Sequence, residues 1–129
     1  MLQFVLNVKK PKNRVILAIL TLIFLSVIHA CLSLNLPVYT NRGVSFGLYF
    51  SGIEWIILAT LVLILFFLIK RFSWGLYLVW CGGVINLVNR IVVGHVFDYF
   101  NLGFVSNNIA DFMIFIGIML FLFRNDYRD

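Results

Sequence analysis

Long uninterrupted apolar runs constrain this chain more than any other feature. They cover about residues 15–34, 53–69, 73–93 and 108–123. A helix needs about 20 apolar residues to cross a bilayer, whereas a barrel strand needs about 10 with alternating polarity. These runs do not alternate, which selects helices over strands. Of the 129 residues, 63% are hydrophobic and 12% charged, with a mean hydropathy of +1.05, whereas soluble domains carry about 25% charged residues. The expected fold is an all-α membrane protein of four transmembrane helices.

Punctuation between the runs sets the layout. Pro37 stops the first helix, because proline lacks a backbone donor and clashes one turn back. In the segment that follows, Val38-Tyr39-Thr40 is extended in character, Asn41-Arg42-Gly43 offers a turn, and Val44-Ser45-Phe46 suits a second strand. A small extracytoplasmic β-hairpin or reduced sheet is therefore expected after the first helix. Lys70-Arg71 closes the second run, and Trp74, Tyr77 and Trp80 open the third with aromatics suited to the interfacial belt. The fourth run is short for a span, so its start should lie in a polar, protein-lined place. With loops this short and no internal repeat, residues 1–129 should pack as one domain.

Lys9, Lys10, Lys12, Arg14, Lys70, Arg71, Arg124 and Arg128 fall on one side of such a bundle, eight of the ten basic residues. This bias predicts cytoplasmic termini and puts the segments at about 35–52 and 94–107 on the outer face. The net charge of +5 is therefore topological and does not mark a nucleic-acid-binding stripe. The first run, about 20 residues long, exceeds the roughly 7–15 of a cleaved signal peptide and should persist as an anchor. Cys31 and Cys81 lie in apolar segments with no C-x-x-C spacing and read as small packing residues. Neither a metal nor a cofactor is expected.

Polar groups are costly in lipid, so those near a span need a reason. Asn86, Asn89, Arg90, Asp98, Asn108 and Asp111 gather within 26 positions, where the third run ends and the fourth begins. The i, i+3, i+4 spacing of Asn86, Asn89 and Arg90 puts them on one helix face. Asp98 and Asp111 can face each other across the connection. Two carboxylates close together in a partly dry site hold one proton between them, and so supply a general acid and a general base for hydrolysis. Each residue also has a plainer reading. Asn108 and Asp111 fit a helix cap and its first turn, Asp98 fits a loop carboxylate paired with Arg90 or His95, and His95 fits a solvated helix end. Glu54 fits the outer end of the second span, and Gly82-Gly83 fits a close helix approach.

Together, Asn41-x-Gly43-x-x-Phe46, Asn86-x-x-x-Arg90-x-x-x-Gly94-x-Val96-x-Asp98-Tyr99 and Asn108-x-Ala110-Asp111 resemble the motif series of the lipoprotein signal peptidase family, signal peptidase II. The resemblance implies an aspartyl endopeptidase of the bacterial cytoplasmic membrane, working at the outer face as a monomer. It would remove signal peptides from diacylglyceryl-modified prolipoproteins just before the lipidated cysteine. The implied catalytic residues are Asp98 and Asp111, with Asn41, Asn86, Arg90 and Asn108 lining the site and holding substrate main chain; membrane lipids are the other partner.

Three departures mark the chain as a divergent, short member. Asn89 stands where the family has an aspartate before the arginine, so weaker positioning of Arg90 is expected, with Asn89→Asp restoring or raising activity. The charged residues usual near the outer end of the first span are absent from Ile28-His29-Ala30-Cys31-Leu32-Ser33, and the outer segments are reduced. A relative that binds prolipoproteins without cutting them remains open, as does a small transporter or scaffold. The latter would spread polar groups through the depth of several spans.

Overall fold

The computed structural model describes residues 10–41, 50–103 and 105–123. Four helices dominate it: α1 (Pro11–Asn35), α2 (Ile53–Lys70), α3 (Trp74–Val93) and α4 (Ile109–Leu122). The first three are long and apolar enough to cross a membrane by length and composition, and α4 is a shorter apolar helix. Its 14 residues reach about 21 Å at about 1.5 Å each, against about 30 Å of hydrocarbon.

Helix ends follow local chemistry. α1 starts at Pro11, four residues before the apolar run, because proline at the first helical position gives up a donor that the helix has no use for. Its basic first turn is then employed: the Arg14 guanidinium donates to the Leu68 and Ile69 carbonyls at the end of α2 and lies over the Phe72 ring. Leu36, forced out of helical geometry by Pro37, caps the other end. Gly94 ends α3 at φ 83°, a left-handed conformation that strains other residues.

α3 is the hub. Its closest neighbour is α4, followed by α2, with α1 more lightly attached. Ala18 of α1, Leu68 of α2, and Tyr77 and Cys81 of α3 form the buried cluster. Tyr77 is a correction to the interfacial-belt reading: it is buried, and its hydroxyl hydrogen-bonds Leu17 O and Thr21 Oγ1, locking α1 to α3. Cys81 is a packing residue as expected, but Cys31 is exposed.

α3 and α4 touch along small residues. A Cβ on Gly75 would lie 2.6 Å from Gly117 O, and one on Gly82 would lie 2.5 Å from Ala110 O. Gly83 serves α2 in the same way, against the Leu61 side chain. The Gly82-Gly83 pair thus lets two different helices approach.

The strands form the small sheet expected after the first helix, with a partner distant in sequence. β1 (Tyr39–Asn41) pairs antiparallel with β2 (Val96–Asp98), placing Tyr39 opposite Asp98 and Asn41 opposite Val96. Asn41 lies in the described strand; the turn expected at 41–43 and the second strand expected at 44–46 fall on or run into residues outside the described ones. A hairpin does form later in the chain. β3 (Phe100–Asn101) pairs with β4 (Ser106–Asn107), Leu102 N donates to Val105 O, and Gly103 sits at φ 89°.

Candidate functional site

The late hairpin builds the site. Its arms leave directly after Asp98 and return directly before Asn108, and Tyr99 N donates to Asn107 O to close its base. Antiparallel pairing thus brings residues ten apart in sequence side by side. The Asn108 amide donates to Asp98 Oδ1 at 3.0 Å, between two side chains that are 0% exposed.

Asn108 is also the N-cap of α4. Its side-chain oxygen accepts from Asp111 N at 3.1 Å, and the Asp111 carboxylate accepts from Asn108 N at 3.0 Å, which makes a capping box. Capping was the plainer reading of this pair, and it holds. It does not exhaust either residue. The second Asn108 amide proton goes to Asn86 Oδ1 at 3.1 Å, and Asn86 Nδ2 donates to Asp111 Oδ1 at 2.8 Å. A side-chain amide has two donor protons and an oxygen with two lone pairs. Both donors of Asn108 are committed, one to each neighbour.

Two amides therefore bridge two carboxylates: Asp98 to Asn108, Asn108 to Asn86, Asn86 to Asp111. Asp98 is fully buried and Asp111 half-buried, so the pair has a dry member and a wetter one. Hydrogen bonds to an ionised acceptor are roughly twice as strong as neutral ones, and the low local dielectric strengthens them further. The Gly82–Ala110 contact one turn before Asn86 allows α4 to begin this close to α3.

Arg90 lies a turn beyond Asn86, 7% exposed, with the carboxylates of Asp111, Glu54 and Asp98 within electrostatic reach of its guanidinium. Glu54 thus does more than mark a helix end. Asn41 stands in β1 opposite Val96, two positions along β2 from Asp98; its side chain lies outside the described part. His95 is half-buried, edge-on to Phe97. Among the described residues, no group of three or more His, Cys, Asp or Glu is placed to hold a metal.

Two residues here, His29 and Tyr99, carried no site role in the sequence reading. His29, 5% exposed in α1, places Nδ1 3.2 Å from Tyr99 Oη, and Asn89 Nδ2 lies 2.7 Å from His29 Nε2. Tyr99 Oη in turn accepts from Ile109 N at 3.1 Å. Burial pushes the Tyr99 phenol above its usual 10.0, the Ile109 N–H pulling the other way and the charges of Asp111 and Asp98 adding to the rise. The phenol keeps its proton. The signal for His29 was its position, since an ionisable residue inside an apolar run is costly unless partnered. Asn89 is turned to His29, so its amide is already in use.

The fold and the site define a small helical membrane protein with a pair of acids held where α3 ends and α4 begins. A family model described as signal peptidase (SPase) II matches residues 13–125, and the chain belongs to that family of bacterial integral membrane peptidases. The lipoprotein signal peptidase of Thermodesulfovibrio yellowstonii is 34% identical over 103 residues, covering 71% of this chain and 70% of that protein. The one from Burkholderia multivorans is 36% identical over 108 residues, 69% of this chain and 64% of its own length. A solved structure described as a bacterial membrane enzyme at 1.9 Å resolution superposes with a TM-score of 0.69 at 20% identity, covering 92% of this chain and 95% of that one. Another of that description, at 2.3 Å resolution, gives 0.67 at 18% identity, covering 87% and 93%.

Proposed function

We propose that this chain is an aspartyl endopeptidase that removes the signal peptide from diacylglyceryl-modified bacterial prolipoproteins, cutting just before the lipidated cysteine. Family membership supports peptide hydrolysis, and its relatives named lipoprotein signal peptidase support the substrate class. The observation that carries the assignment to Asp98 and Asp111 is the two-amide bridge, which ties both acids into one network at one end of the bundle.

In this reading one carboxylate takes a proton from water as the water oxygen bonds the scissile carbonyl carbon, while the other carboxyl donates its proton to the carbonyl oxygen. The first then gives its proton to the amine as the C–N bond breaks, and the second takes back a hydroxyl proton of the tetrahedral intermediate, leaving a carboxylic acid. General acid and base groups each contribute about 10²–10⁴-fold. Asn86 and Asn108 hold the acids in register. Arg90, with a cationic fork of donors, suits substrate carbonyls, and Asn41 would meet the peptide main chain from β1. The chain would work as a monomer and one domain in the cytoplasmic membrane, both termini cytoplasmic and the acid pair at the outer face.

The test is a gel-shift cleavage assay in detergent with a diacylglyceryl-modified prolipoprotein, running wild type beside Asp98→Asn and Asp111→Asn. Wild type should cleave, and each variant should lose about 10²–10⁴-fold while remaining folded. Full cleavage by both variants would remove the acid pair from the chemistry. Substrate bound but uncut by all three proteins would mark a non-catalytic relative.

A further inference from the structure

We propose that His29 is a positioning residue: with Asn89 and Tyr99 it forms a relay from α1 and α3 to the backbone N–H of Ile109, holding the first turn of the helix that carries Asp111. Its functional half rests on the peptidase reading above; its structural half does not.

The first four N–H groups of a helix have no partner within it. In α4 the Phe112 N–H makes the first regular bond, to the Asn108 carbonyl, and before it the Asp111 N–H goes to the Asn108 side chain. The Ile109 N–H, at the first helical position, is taken from outside by Tyr99 Oη at 3.1 Å. Tyr99 follows Asp98 directly, so its phenol links the two sides of the acid pair by a route independent of the Asn86–Asn108 bridge.

A phenol hydroxyl held at one point could swing, but His29 holds it at a second. Its ring lies 5.5 Å from the Tyr99 ring, centroid to centroid, with Nδ1 3.2 Å from the oxygen. With the Asn89 amide donating to Nε2 at 2.7 Å, the ring proton resides on Nδ1 and is donated to Tyr99 Oη. The phenol oxygen then receives two N–H donors, from His29 and Ile109, which fills its acceptor capacity and fixes its place. Each member comes from a different element: His29 from α1, Asn89 from α3, Tyr99 from the strand connection. The relay is thus a polar tie between α1, otherwise lightly packed, and the acid pair.

The Asn89 amide and the His29 imidazole meet each other inside the bundle. A neutral pair does the tethering.

The experiment compares wild type, His29→Leu, His29→Asn, Tyr99→Phe and the His29→Leu/Tyr99→Phe double variant, in cleavage kinetics and in the exchange rate of the Ile109 amide with isoleucine-selective ¹⁵N labelling in detergent. A misplacement of about 1 Å costs up to about 10²-fold in rate. His29→Leu and Tyr99→Phe should therefore each lower kcat by about 10-fold or more, with KM within about twofold. His29→Asn, which keeps a polar group near the Nδ1 position, should recover most of the loss. The double variant should be no worse than the worse single, since both cut one chain of contacts. Ile109 exchange should quicken about 10-fold in His29→Leu and in Tyr99→Phe as its hydrogen bond is lost or loosened.

Unchanged Ile109 exchange in His29→Leu would overturn the relay, whatever the kinetics. A wild type that cleaves, with His29→Leu at wild-type kcat, would overturn the positioning role. Additive losses, or a loss confined to KM, would likewise overturn it. A wild type that fails to cleave defeats the peptidase reading, and the exchange data then still decide whether the relay exists.

Discussion

At one end of the α3–α4 pair, Gly75 and Gly117 meet backbone to backbone; at the other, Asn86, Asp98, Asn108 and Asp111 exchange hydrogen bonds, with Gly82 against Ala110 between the two. The glycine end depends on shape alone. Lipid offers little hydrophobic drive between helices, so close van der Waals approach does the holding there. The amide end depends on direction, since each donor must find its acceptor. Shape tolerates loss of stability without loss of geometry, whereas a directed network does not. The same two helices therefore carry a region that should affect only stability and one that should affect chemistry.

The strongest way to break that distinction is Asn108→Ala. It removes a cap worth about 1 kcal/mol and takes one hydrogen bond each from Asp98 Oδ1 and Asn86 Oδ1, at about 1 kcal/mol each. Cleavage should fall about 100-fold or more, with a lower thermal midpoint. Equal cleavage by Asn108→Ala and wild type in the prolipoprotein assay would show that the bridge does not set the acids.

Gly75→Ala and Gly82→Ala sharpen the comparison, because each puts a Cβ against a carbonyl of α4, at 2.6 and 2.5 Å respectively. Overpacking of this kind costs about 1–3 kcal/mol. Both should melt earlier, read by thermal unfolding in detergent. Only Gly82→Ala, one turn from Asn86, should also lower kcat of the folded protein, by about 10-fold, as its contact lies beside Asp111. If Gly75→Ala lost as much kcat as Gly82→Ala, the two ends would not be separate.

The smallest effect belongs to Asn89→Asp. Restored or raised activity was expected from its place beside Arg90, but its partner is His29. A carboxylate there can only accept, so it would meet Nε2 only if the imidazole took up a second proton, keeping Nδ1–H on Tyr99; cleavage should therefore change by no more than about threefold. A rise above 10-fold would mean that the new acid reorients Arg90.

The sequence carried much of this because lipid makes polarity expensive and therefore informative. The apolar runs gave the helices, Asn108 gave the start of α4, and the clustering of amides and acids picked out residues that the structure brings together. What it did not carry was pairing. The extended segment after α1 could join its own neighbour or a distant strand with the same local propensity, and the structure joins it to the strand of Asp98. Asn89 could face Arg90 or α1, since helix periodicity fixes a face and not a partner. Tyr77 was suited to an interfacial belt by its chemistry, yet Thr21 and Leu17 gave it a buried partner.

The hairpin between Asp98 and Asn108 has a further consequence. Its base is fixed by pairing and by the Tyr99–Asn107 hydrogen bond, whereas the described residues of its tip, Leu102, Gly103 and Val105, bond to neither acid in the network that defines the site. Doubling the length of a loop costs only about 0.6 kcal/mol of closure entropy. Inserting four glycine and serine residues after Gly103 should therefore leave cleavage of a standard substrate within about threefold of wild type. The tip is then free to diverge: its length and composition can drift under selection by whatever passes over it, while the acids beneath stay in register.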